Sequence, residues 1–165
     1  PAIMAHCIYS EDEMDLLKEH GVYVAHCPES NLNLSSGIAP VRKFLEDGIA
    51  VGLGSDVAGG SSLSMAKALT LAVQVSKMYW RLIDENSKPL TFAEAFYLAT
   101  AGGGSYFGKV GTFLDGYEFD AVVVEDHISK EVRKYTPIER TQRMMYDENL
   151  MTVCAKYVAG YECKL

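Results

Sequence analysis

Three short strings in the chain carry residue types able to do hydrolytic chemistry: His6-Cys7, then His26-Cys27-Pro28-Glu29-Ser30-Asn31, then Gly52-Leu53-Gly54-Ser55-Asp56-Val57-Ala58-Gly59-Gly60. Asp56 stands out. A carboxylate that ends an apolar stretch among glycines needs a metal ion, a cation or hydrogen-bond donors, because burying it bare costs several kcal/mol or more. The plainer reading is a cap for the following helix, but Ser64 is better placed for that. His6 is a histidine of the kind that reads either as a hydrogen-bonded core residue or as a site residue, and its place just before a capped helix favours the site. His26 has a similar setting and is read as structural. His20 suits the C-terminal end of a helix dipole, and His127 suits a polar loop.

The glycine-rich string fails as a phosphate cradle. A dinucleotide fingerprint opening at Gly52 needs Gly or Ala where Val57 stands, and a P-loop opening at Gly54 needs Lys where Gly60 or Ser61 stands. Gly54-Ser55-Asp56 is no GxSxG elbow. The HxE and PCxxC pair of cytidine-deaminase zinc sites is absent from the sequence.

The elements that must position these strings are short apolar runs alternating with capped helical patterns. Residues 2–5, 22–25 and 49–54 read as strands. Ser10 with Glu13 reads as a capping box opening a helix that runs to about His20, with Gly21 as its left-handed stop. Pro40 suits a first helical position, Val41, Phe44 and Leu45 form one apolar face, and Gly48 ends that helix. A longer helix begins near Met65, where Met65, Ala68, Leu69, Ala72, Ser76, Tyr79 and Ile83 share a face and Lys67, Gln74 and Lys77 form the polar side. Thr91 with Glu94 is a second capping box, for a helix stopping at Gly102-Gly103-Gly104. Strands apolar on both faces and joined by helices belong to a parallel sheet, whose sites gather at the carboxyl ends of the strands. That is where all three strings fall. Beyond about residue 108 the pattern changes: residues 110–124 and 150–165, with a turn at Gly160, read as a small β unit. The polar connection 127–149, holding Pro137, reads as partly disordered or docked elsewhere.

Composition fits one folded unit, with 48% hydrophobic and 22% charged residues in 165. A net charge of −7 with no basic cluster gives nucleic acid nothing to bind. No apolar run approaches the roughly 20 residues of a membrane span, and no signal-peptide pattern opens the chain, so a cytoplasmic protein is expected. The four cysteines show no CxxC or zinc-finger spacing and read as reduced thiols.

His-Cys before a capped helix, His26-Cys27-Pro28-x-Ser30-Asn31-Leu32-x-Leu34-x-Ser36-Gly37 and Gly52-Leu53-Gly54-Ser55-Asp56-Val57-Ala58-Gly59-Gly60 together closely resemble the guanine deaminases of the amidohydrolase superfamily. Gly108-x-x-Gly111 and Gly116-x-x-x-Asp120-Ala121 resemble the return to that family's small β domain. The resemblance implies a metal-dependent (β/α)8 TIM barrel, of which residues 1–107 hold strands six to eight and residues 108–165 part of a small β-sandwich domain. It implies one zinc ion, or iron, with Asp56 as metal ligand and proton acceptor. It implies that His6 contacts the attacking water and the substrate, and that both residues touch a small purine. In the implied reaction a metal-activated water, its pKa lowered to about 7, displaces ammonia from guanine to give xanthine. The family's HxH, a further histidine and an acid glutamate are absent from these 165 residues. The chain is therefore expected to be a piece of a longer protein, inactive alone, partnered by the rest of its own barrel and assembled as a homo-oligomer, a dimer. The rival readings are another amidohydrolase acting on adenine-type, cytosine or triazine substrates, and a non-catalytic binding or assembly module.

Overall fold

The computed structural model describes residues 1–129 and 133–164. Strands β1 (Ile3–Ala5), β2 (Tyr23–His26) and β3 (Ala50–Leu53) form one sheet in that order. Both pairs are parallel, with Ala5 beside Ala25 and His26 beside Leu53. The expected parallel sheet is thus present. Helices α1 (Met14–Glu19), α2 (Pro28–Asn33) and α3 (Val41–Glu46) lie in the crossovers. Met14 and Leu17 of α1 and Val41 and Phe44 of α3 pack with Val24 and Val51 of the sheet in one core cluster. Phe44 is fully buried and contributes on the order of 2–3 kcal/mol through that burial. Gly21 and Gly48 both adopt left-handed backbone, φ +58° and +74°, as the expected helix stops require.

The Ser10–Glu13 capping box does not form. The Ser10 hydroxyl donates to the Cys7 carbonyl at 3.0 Å, and residues Glu11–Glu13 make a 3-10 turn ahead of α1. The cause lies upstream: His6 and Cys7 are both left-handed, φ +70° and +45°, and the tight turn they make brings the Cys7 carbonyl to Ser10. Pro40 precedes α3 as its N-cap rather than opening its first turn. The six-residue α2, which lies within a string read only as a strand end, has Pro28 in its first turn.

Helix α4 (Met65–Leu82) opens on Ser64, whose hydroxyl accepts from the Lys67 amide. Its expected inner face is largely right: Ala68, Leu69, Ala72 and Tyr79 are buried, but Met65 and Ile83 at the two ends are exposed. Gln74 and Lys77 are exposed as expected, whereas Lys67 turns to ion-pair with Glu29. The Thr91–Glu94 capping box is complete and opens α5 (Phe92–Tyr97), which runs on into a π turn over Leu98–Gly102. Gly52 and Gly103 meet there so closely that a Cβ on Gly52 would lie 2.9 Å from Gly103 Cα. Tyr23 adds a hydrogen bond from its hydroxyl to the Gly102 carbonyl.

A second sheet, antiparallel, is built from β4 (Ala121–Asp126), β5 (Met151–Val158) and β6 (Tyr161–Cys163). The β5–β6 hairpin turns through Ala159 and Gly160, both left-handed, as a two-residue hairpin loop favours. Residues 110–120 are irregular, with Gly111 and Gly116 at positive φ, so the strand expected in 110–124 is confined to its apolar end. The connection 127–149 is more ordered than its polarity implied. Thr136 and Glu139 form a capping box for α6 (Pro137–Tyr146), which packs on α4 and places Met145 against Leu69, Val73 and Ala95. Within that connection the partial disorder expected at 130–132 falls outside the described residues. Among the described residues no helix is long and apolar enough to cross a membrane.

Candidate active site

The ends of β1, β2 and β3 deliver the three strings to one place. After β1 the His6 amide still donates to the Ala25 carbonyl, at 2.9 Å, so the left-handed turn at residues 6 and 7 begins while the chain is tied to β2. After β3 the Gly54 amide donates to the His26 carbonyl at 2.9 Å, and Asp56 then adopts φ +48°. Its carbonyl accepts from the Gly60 amide, which closes residues 56–60 into a tight loop. His6 Nε2 and Asp56 Oδ2 stand 3.7 Å apart, with side chains 38% and 40% exposed. The two residues singled out from sequence are therefore neighbours, half open to solvent.

Helix α2 holds both. His6 Nδ1 is 2.8 Å from Asn31 Oδ1, and the Ser30 hydroxyl donates to Asp56 Oδ2 at 2.5 Å. Asn33 donates through Nδ2 to the Gly59 carbonyl at 3.0 Å. Glu29, on the same helix, accepts from Ser61 and from Lys67, and these bonds hold its carboxyl below the usual range. Ser30 and Asn31 are buried, unusual for their types. Both stand in a string singled out from sequence, which assigned neither a role. Pro28 directly after an apolar strand was the available signal, since proline in a first helical turn announces a helix that carries the next polar residues inward.

His26 is buried, is not hydrogen-bonded to His6 or Asp56, and finds no hydrogen-bond partner for either ring nitrogen among the described residues. Burial, reinforced by nearby His6, pushes its pKa down to about 4, so the ring is neutral at physiological pH. Burial and the charge of Asp56 push the Cys27 thiol up to about 11, and burial also raises Cys7. Neither thiol is poised as a nucleophile. All four cysteines are free. His20 caps the C-terminal end of α1, and His127 lies 2.8 Å from the Thr152 hydroxyl through Nε2, away from the pair.

Whether this arrangement suits a metal ion follows from its donors. The hydrogen bond to Asp56 goes to Oδ2, and the Nδ1 contact of His6 leaves Nε2 facing the carboxylate. One carboxylate oxygen and one imidazole nitrogen are ligands of the right chemistry for zinc or iron. Among the described residues no three His, Cys, Asp or Glu side chains form a ligand set.

The family model of the amidohydrolases matches residues 1–156, and the chain belongs to that family. Within it, guanine deaminases are among the most similar proteins. The guanine deaminase of Mus musculus is 46% identical over 132 residues, covering 77% of this chain and 29% of that protein. The crystal structure of guanine deaminase from C. acetobutylicum with guanine bound in the active site superposes with TM-score 0.90 at 43% identity, covering 99% of this chain and 39% of that one. A zinc-bound adenosine deaminase from Xanthomonas campestris follows at TM-score 0.76 and 26% identity, over 97% of this chain and 36% of that one. The chain thus spans about a third of the length of these relatives. The α/β fold is that of the amidohydrolase superfamily, whose members are generally metal-dependent.

Proposed function

We propose that the protein carrying these 165 residues is a guanine deaminase, hydrolysing guanine to xanthine and ammonia. The observation that carries this reading is the His6–Asp56 pair, 3.7 Å apart at the strand ends, in a chain so similar to guanine deaminases. On this reading β1, β2 and β3 are strands six, seven and eight of a (β/α)8 barrel, and the second sheet is part of its β-sandwich domain. The exposed faces of β1, with Ile3 50% and Met4 48% exposed, support a sheet that continues into the rest of the barrel. Residues 1–107 and 108–165 are then the two domains' shares. Free cysteines support a cytoplasmic setting.

Asp56 would hold the ion, zinc or iron, together with ligands from outside these residues. When bound, the ion lowers the pKa of a water ligand from 15.7 to about 7. Asp56 accepts the proton that water loses, and its partly exposed carboxylate is open to do so. His6 Nε2 faces the same space and orients the attacking oxygen toward the amino-bearing carbon of the purine. A general acid from outside these residues protonates the ring nitrogen as the oxygen adds, the proton held at Asp56 passes to the amine, and ammonia leaves as the added hydroxyl returns its proton to that acid's conjugate base.

Ammonia release by the whole protein, measured with guanine, adenine and cytosine, tests the reading. Guanine should be turned over and the other two far more slowly. Preference for adenine would move the protein to an adenine-type deaminase, and no release from guanine would refute the proposal. Asp56→Asn should abolish turnover, while His6→Ala should lose most activity and keep its metal; loss of the ion from His6→Ala would make His6 a ligand.

A further inference from the structure

Helix α2 places two consecutive polar side chains in the interior, Ser30 at 0% and Asn31 at 2% exposure. Consecutive helical residues diverge by about 100°, so they address different partners. Ser30 reaches Asp56 across 26 residues of sequence and Asn31 reaches His6 across 25. We propose that Ser30 and Asn31 are positioning residues for the deamination: Asn31 sets the tautomer and direction of the His6 ring, and Ser30 sets the rotamer of the Asp56 carboxylate. The inference rests on the functional reading above, and it adds two residues to the site.

With Asn31 Oδ1 as the acceptor at 2.8 Å, the proton of neutral His6 lies on Nδ1, and the Asn31 amide nitrogen is buried without a hydrogen-bond partner among the described residues. Nε2 then carries the lone pair and turns it toward Asp56. At 3.7 Å, Nε2 and Oδ2 are too far apart to share a direct hydrogen bond, and a water oxygen can lie within reach of both. The opposite tautomer would point an N–H into that space and could not accept from the attacking water. Ser30 has one hydroxyl proton and gives it to Oδ2, leaving Oδ1 for another partner. Gly59 makes room for this bond: a Cβ there would lie 2.6 Å from Ser30 Oγ and 2.8 Å from Asp56 Oδ2. The buried serine and asparagine converge on two strand-end groups that face each other.

The test uses the whole protein, labelled with 15N-histidine and loaded with zinc. Wild-type His6 should show the Nδ1–H signature, and Asn31→Ala should replace it with a mixture containing Nε2–H. In guanine turnover Asn31→Ala should lower kcat about 100-fold with KM changed less than about threefold, because misaimed groups cost rate rather than affinity. Ser30→Ala should lower kcat about tenfold, and Ser30→Thr, which keeps the hydroxyl, should recover it to within about threefold. If Asn31→Ala does not fold, Asn31→Leu, near in shape and without an acceptor, serves in its place. A wild-type ring protonated on Nε2, an unchanged spectrum and kcat in the Asn31 variant, or no recovery in Ser30→Thr would overturn the proposal. If the wild-type protein releases no ammonia from guanine, the functional reading fails, while the ring spectra still decide the role of Asn31.

Discussion

Gly59→Ala adds one methyl group at the point where the two halves of the candidate site touch. Gly59 lies outside the left-handed backbone region, so alanine is tolerated there conformationally and the perturbation is the methyl alone. Its Cβ would stand 2.6 Å from Ser30 Oγ and 2.8 Å from Asp56 Oδ2, where ordinary contact begins at 3.4 Å. Something must retreat by roughly 0.6–0.8 Å, the shortfall between those distances and ordinary contact. Ser30 is fully buried on α2 and has nowhere to go, whereas Asp56 is half open to solvent. The carboxylate therefore moves, breaks its bond to Ser30 and loses its alignment with His6. A displacement near 1 Å costs about 100-fold in rate, or about 2.7 kcal/mol of transition-state stabilisation. Steady-state turnover of guanine by the whole protein, with circular dichroism and thermal melting to confirm the fold, measures this. A kcat within threefold of wild type in a folded Gly59→Ala protein would refute the claim that the glycine exists to admit the Ser30–Asp56 contact.

Other consequences are equally measurable. Arg42 grips both oxygens of Glu94 at 2.8 Å and holds its pKa down to about 2. Because the folded pKa is depressed, this stabilisation is complete above the ordinary carboxylate value and is lost as pH falls toward about 2. Glu94→Gln, which keeps a cap for the Thr91 amide, should cost about 1 kcal/mol at pH 7 once screening of the partly exposed carboxylate is allowed for. The difference from wild type in denaturant titrations should shrink by more than half near pH 3; a gap independent of pH would show that the ion pair is not its source. Phe44→Ala should cost about 3–5 kcal/mol, since the ring is wholly buried among Val24, Val51 and Met14; a melting temperature unchanged from wild type would contradict that core. Cys27, buried and with its pKa near 11, should resist maleimide at pH 8 in the folded protein and react after denaturation, as intact mass would show. Rapid labelling of the native protein at Cys27 would count against the packing of the strand-end loop.

What the sequence made legible, and what it did not, divides along one physical line. Ser64, the Thr91–Glu94 box and the stops at Gly21 and Gly48 could be read because capping and left-handed turns involve residues a few positions apart. The parallel sheet could be read because apolar runs joined by helices leave little choice of topology. The placement of His6 and Asp56 at strand ends could be read because each follows a short apolar run. Ser10 failed, although its spacing to Glu13 was right, because the His6–Cys7 turn presents it with a carbonyl three residues back. Helix α2 escaped because six residues are too few to show a period, and its purpose lies in bonds that span 25 and 26 residues. The Thr136–Glu139 box escaped because α6 is so polar that its sequence resembles that of a surface loop. Two of these three misreadings, at residues 6–10 and 28–33, flank the same pair of side chains. Local signals and final structure disagree where the backbone is bent to serve a site. That disagreement supports the functional reading proposed above: the chain gives up a helix cap at Ser10 and buries Ser30 and Asn31 at the point where His6 and Asp56 meet.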